Sequence, residues 1–194
     1  MHVVTFASDE YRHGPPSYRC QHTMKGLDMS HEPLIQARAA QHYAAIPATV
    51  AMDGISAAVD DALPELFGWL AGQGIAPAGP PLIRYLVIDM AGELQIELGV
   101  PVASPVTASG RIQPSVLPEG RYAVLRHTGP YDGLIASNAA LLQWAQEKGV
   151  EFDAWDTPRG SAWRGRAEHY LTDPSQEPDP AKFETDVAFL IRQA

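Results

Sequence analysis

Tyr43-Ala-Ala-Ile46, followed by Thr49 and by Asp53-Gly54-Ile55, is written again 79 residues later as Tyr122-Ala-Val-Leu125, Thr128 and Asp132-Gly133-Leu134. Leu66-Phe67-Gly68-Trp69 with Gly74-Ile75 then returns as Leu141-Leu142-Gln143-Trp144 with Gly149-Val150, and Tyr85-Leu86 as Tyr170-Leu171. The offset falls from 79 to 75 between the first two blocks, so the first copy holds four extra residues, about one helical turn. Two related units of this size pack around a pseudo-twofold axis. Their seam makes a cleft, the ordinary place for a small molecule.

Outward from these blocks, each copy reads as strand, helix, strand, strand. An extended segment at 34–43 leads to a turn after Ile46-Pro47, and Asp53 is the expected N-cap of the next helix. Ile55, Val59, Leu63, Leu66, Phe67 and Leu70 recur at helical spacing and face the core. Pro64 has no N–H for the carbonyl four residues back, so a kink or a restart is expected there, where the copies lose register. Gly72 and Gly74 end the helix, Pro77-Ala78-Gly79-Pro80-Pro81 turns the chain, and strands at 82–89 and 94–100 flank a hairpin turn at Met90-Ala91-Gly92. A loop at 101–111 joins the copies. The second copy gives a strand at 122–127, a helix at 132–148, an irregular stretch at 149–161, and a strand at 163–171. An acidic loop at 173–180 and a last strand at 186–191 complete it. The pattern predicts an α+β domain of duplicated βαββ units, with helices on one face of an antiparallel sheet. Copy one spans about 33–102 and copy two about 111–192. Residues 1–32 stand outside the repeat as an arm without an assigned role, or as an over-long start with Met29 as the initiator.

Composition narrows the classes of function. Among 194 residues, 23 acidic side chains outnumber 14 basic ones, the net charge is −9, and no Lys/Arg cluster offers a grip on a nucleic-acid backbone. The single cysteine, Cys20, excludes an internal disulfide framework. No apolar run is long enough to span a membrane and no signal-peptide pattern opens the chain, so a cytoplasmic location is expected. Seven scattered histidines show no zinc-like spacing, and neither a metal nor a cofactor is expected.

A series of short motifs carries a family resemblance. Ala78-Gly79-Pro80-Pro81 leads into Arg84-Tyr85, and Gly99-Val100-Pro101-Val102 ends a strand. Leu117-Pro118-Glu119-Gly120-Arg121-Tyr122-Ala123 leads into His127-Thr128-Gly129-Pro130-Tyr131, and Glu168-His169-Tyr170 precedes Asp173-Pro174. Their order and spacing resemble the GyrI-like effector-binding domain over roughly residues 34–192. That domain occurs as the ligand-sensing half of multidrug-responsive transcription regulators and as free-standing proteins. The resemblance implies a cleft between the copies for hydrophobic, often cationic, organic molecules. It also implies a carboxylate at the cleft base, here Glu168, with aromatic walls. No DNA-binding segment is recognised, so a free-standing module that senses or sequesters such compounds is the leading expectation, without direct contact to nucleic acid. Two alternatives stand beside it: a hydrolase of strained, electrophilic small molecules using Glu168 as acid or base, and a protein partner that modulates DNA gyrase.

The residues themselves leave two readings open. On an extended strand Arg164, Arg166, Glu168 and Tyr170 share one face, and Trp163, Ala167, His169 and Leu171 the other. If the apolar set packs on the helices, Glu168 and Tyr170 face away from them. Glu168 is then either a cleft carboxylate or a solvated glutamate paired with Arg166 or Arg84. Tyr85 and Tyr170, equivalent in the two copies, are either a stacking pair for a flat or cationic ligand or half-buried core tyrosines. Trp69 and Trp144 read as helix-packing anchors. Trp155 and Trp163 have no counterpart in copy one; they either cover the cleft or tuck down their own loop. His127 reads as structural, with no nucleophile in a matching context, and Tyr131 as a cleft wall.

Overall fold

A computed structural model describes residues 32–193; the arm at residues 1–32 lies outside the described residues apart from Glu32. The strands are β1 (Leu34–Arg38), β2 (Gln41–Val50), β3 (Leu82–Ile88), β4 (Leu94–Pro101), β5 (Gln113–Leu117), β6 (Gly120–Thr128), β7 (Ala154–Thr157), β8 (Gly160–Tyr170) and β9 (Glu184–Leu190). Two helices, α1 (Ile55–Gly72) and α2 (Leu134–Lys148), are each entered through a single 3-10 turn. The strands form one curled antiparallel sheet in the order β1-β6-β9-β8-β3-β4-β2-β5, with β7 added to β8. This is the expected α+β architecture.

The order shows how the duplication closes. Inside the outermost strands β1 and β5, each copy places its first strand (β2 or β6), then its third (β4 or β9), then its second, and the second strands β3 and β8 pair at the seam. Ile83 stands opposite Glu168 there, and Tyr85 opposite Arg166. The repeat equates Tyr85 with Tyr170, hence Ile83 with Glu168, so the pseudo-axis passes through the Ile83–Glu168 pair. The lead-in strands are exchanged. β1 precedes copy one yet pairs with β6, while β5 precedes copy two yet pairs with β2. Each half therefore covers the outer edge of the other, which leaves fewer unpaired backbone groups at the edges.

Helix α1 lies over β2 and β4, and α2 over β6 and β9. Leu66 and Leu70 close one core on Ile46, Ile96 and Leu98; Leu134 and Leu141 close the other on Ala123, Leu125 and Phe189. Tyr170 touches both cores. The central strands β3 and β8 are left between the two helices. The opposite face of the sheet is buried as well, by Tyr43, Ala45, Leu82, Leu117 and Ala167 and by Tyr122, Val124, Ala188 and Leu190.

Several local expectations are corrected. The chain does not turn at Ile46-Pro47, because β2 runs on to Val50. Val102 N–H donates to His42 O, which phases the ladder so that the even-numbered residues of β2 bond to β4. Pro47 thus faces the edge beyond the end of β5, where no N–H is needed. Asp53 does not cap its helix, and its repeat counterpart Asp132 caps none either, since the 3-10 turns move the helix N-caps to Gly54 and Gly133. Helix α1 continues through Pro64 without a restart; at 18 residues against 15 in α2 it holds most of the extra turn. The stretch at 149–161 is not irregular throughout, because β7 forms a hairpin with the start of β8. Gly160 permits that turn: its φ is +111°, and a Cβ there would lie 2.3 Å from the Ile88 carbonyl oxygen.

The largest correction concerns the faces of β8. Its pairing with β3 shifts register between Tyr85 and Val87, where one residue of β3, Leu86, opposes three of β8, Trp163, Arg164 and Gly165. That bulge breaks the simple alternation. Trp163 packs with Phe152 and Phe189 on the helix side, and so do Arg166, Glu168 and Tyr170 after the bulge, while Ala167 faces the other layer. Glu168 does not point away from the helices; it lies beneath them.

Candidate functional site

The floor between the helices is built from β3 and β8. Glu168 is 4% exposed, and both of its carboxylate oxygens are engaged. Tyr85 and Tyr170 hydroxyls donate to Oε2 at 3.0 and 2.9 Å, and Asn138 Nδ2 of α2 donates to Oε1 at 2.8 Å. The two tyrosines are repeat equivalents placed on either side of the pseudo-axis, so one carboxylate on that axis receives both. A hydrogen bond to a charged acceptor contributes about 1.5–3 kcal/mol, and three of them are what a buried carboxylate needs.

Arg166 completes the arrangement. Its guanidinium donates to Asn138 Oδ1 at 2.9 Å, so the Asn138 amide stands between cation and carboxylate, which form no direct ion pair. The guanidinium carbon sits 4.5 Å from the Phe189 ring centroid, 4.7 Å from Trp163 and 5.7 Å from Tyr85. Its Nε has no hydrogen-bond partner. Burial lowers the Arg166 pKa to about 10, against the opposing pull of Tyr85 and Glu168. Burial, reinforced by the negative charge of Glu168, raises the hydroxyl pKa values of Tyr85 and Tyr170 well above the ordinary tyrosine range. Both therefore remain proton donors to the carboxylate at neutral pH.

Tyr131, in the turn that opens α2, packs edge-on against Tyr170 with centroids 5.4 Å apart and leans on Phe183 at 5.2 Å. Tyr131 is 39% exposed and forms a rim beside Tyr170, whose hydroxyl bonds the buried carboxylate. Of the residues singled out from sequence, the structure brings together Glu168, Tyr85, Tyr170 and Tyr131. Trp163 belongs to the core beside them and reaches the site through Arg166. Trp155 is elsewhere, 49% exposed on the β7 hairpin under the Arg164 guanidinium. Trp69 and Trp144 pack against the two helical cores. His127 has a serine neighbour after all: its Nδ1 lies 2.9 Å from Ser137 Oγ and its Nε2 3.0 Å from Pro130 O, a pair that ties the end of β6 to the start of α2.

Asn138 and the site role of Arg166 escape the reading of the sequence. Asn138 had a legible signal. It falls on the buried stripe Leu134, Asn138, Leu141 and Ala145 of α2, where an apolar residue is the rule. Counted from the helix starts, its copy-one counterpart is Val59. Among the described residues no cluster of three or more His, Cys, Asp or Glu is placed to hold a metal ion, and no helix is long and apolar enough to cross a membrane.

Comparison with known proteins adds three findings. A family model, the GyrI-like small molecule binding domain, matches residues 31–192. Among solved structures, the EcmrR C-terminal domain is similar with a TM-score of 0.67 and 17% identity, over 84% of this chain and 98% of that one. EcmrR in its DNA complex gives 0.69 and 17% over 84% of this chain, which spans 58% of the EcmrR chain. SAV2435 bound to tetraphenylphosphonium gives 0.59 and 12%, over 84% and 94%. At these identities the likeness shows the fold. No curated protein sequence gives a significant match.

Proposed function

The chain belongs to the GyrI-like small molecule binding domain family, and from that premise we propose that it senses or sequesters hydrophobic, cationic organic compounds in the groove between α1 and α2. The observation that carries this reading is the Glu168 carboxylate, held on the pseudo-axis by two equivalent tyrosines beside an aromatic rim. SAV2435, which shares the fold, was solved with tetraphenylphosphonium, a hydrophobic cation. In this chain the rings of Tyr131 and Tyr170 offer apolar and π surface, and burial of ligand area at about 25 cal/mol per Å² supplies the main attraction before the entropic costs of association. Glu168 adds a charge term that is strong because the floor is poorly hydrated.

The test uses a shape-matched pair of probes, 1-methylquinolinium and its uncharged isostere 1-methylnaphthalene, titrated against tryptophan fluorescence. Glu168→Gln is expected to weaken the cation by about tenfold or more, close to 1.4 kcal/mol, with the neutral probe changed by less than about threefold. Equal losses for both would remove Glu168 as the charge-recognising group.

A further inference from the structure

Resting on that binding reading, we propose that Arg166 is a resident counter-ion that sets the charge selectivity of the Glu168 site: a ligand cation feels only the attraction that the guanidinium leaves uncompensated. Three observations support this. The first is placement. Asn138 bonds the carboxylate with its Nδ2 and the guanidinium with its Oδ1, so both charges share one amide and one floor. The second is immobility. Stacked on Trp163 and Phe189, the guanidinium cannot swing away when a ligand arrives, unlike a surface arginine. Arg166 as a whole is half-buried, whereas its Nε is fully enclosed.

The third is the comparison of the halves. Tyr85 pairs with Arg166 across the seam as Tyr170 bonds Pro81, so Pro81 is the counterpart of Arg166, just as Ile83 is that of Glu168 and Val59 that of Asn138. Copy one therefore builds the same strands and helix with an apolar trio. The fold does not demand Arg166, Asn138 or Glu168, and all three polar residues belong to copy two. A carboxylate installed alone would make a site for any apolar cation. A carboxylate installed with a fixed guanidinium makes a dipolar floor, whose preference for cations over neutral aromatic compounds is smaller than that of a carboxylate alone.

The experiment reads the ratio of 1-methylquinolinium to 1-methylnaphthalene affinity in the full chain and four variants, each checked by circular dichroism. Arg166→Met is expected to raise the ratio about tenfold or more by exposing the Glu168 charge, and Glu168→Gln to lower it by a similar factor. The double variant, again neutral, returns to within about threefold of the unmodified chain, and Arg166→Lys, which keeps the charge, does the same. An Arg166→Met ratio equal to that of the unmodified chain overturns the counter-ion role while leaving the binding site in place. Arg166→Lys behaving like Arg166→Met overturns it too, because packing rather than charge would then be responsible. Absence of saturable binding by either probe overturns the binding reading itself, and this inference with it.

Discussion

Acidification from pH 7 to pH 4 should cost this protein about 3 kcal/mol of stability through one residue, His169. It lies on β8 next to Glu168 but on the opposite face of the sheet, 6% exposed, in a depression also lined by Arg38, His42 and Asp186. Its Nε2 is 3.2 Å from Arg38 Nη1, and a guanidinium can only donate, so that nitrogen accepts and the ring is neutral. Burial first, and the Arg38 charge second, lower the His169 pKa to about 4, with Asp186 pulling weakly the other way. The unfolded chain takes up the proton near pH 6.5 and the folded chain near 4, so between those values the unfolded state binds more protons and stability falls as pH falls. The full contribution is present above about pH 6.5, and the gap corresponds to about 3 kcal/mol. Urea denaturation of the unmodified chain and of His169→Gln at steps from pH 7 to pH 4 isolates the effect, because glutamine keeps an acceptor for Arg38 and does not titrate. The difference between the two stabilities should move by that amount, against the unmodified chain. Parallel pH curves would refute the argument.

Two other predictions follow from the packing. Trp163→Ala empties a site bounded by Phe152 and Phe189, so a loss of about 3–5 kcal/mol is expected in chemical denaturation, whereas the exposed Trp155→Ala should stay within about 0.5 kcal/mol. Tyr85→Phe and Tyr170→Phe should each cost about 1.5–3 kcal/mol, and the double variant more than their sum, since it leaves Oε2 of Glu168 without a donor. Additive losses in the double-mutant cycle would show that the two hydroxyls do not share one acceptor.

The extent to which the site was legible follows from where its information sits along the chain. Tyr85 and Tyr170 lie at matching repeat positions, so the duplication marked them, while Glu168 was marked by the family resemblance. Trp155 was drawn towards the site only because it breaks the repeat; the β7 hairpin carries it away. Arg166 sits beside a bulge, and a bulge is a pairing event between β3 and β8 that neither segment records alone. One phase error there reversed the expected direction of Glu168.

By itself the sequence determined the duplication, the α+β class and the order of elements within each copy, because hydrophobic periods of two and about four residues and turn residues are local properties. Tertiary structure alone decided that β1 and β5 exchange between the halves, that the pseudo-axis runs through Ile83 and Glu168, and that Asn138 places its amide between a buried carboxylate and a stacked guanidinium. Those are contacts between residues tens of positions apart. Their energies come from register and burial, which exist only once the sheet has closed.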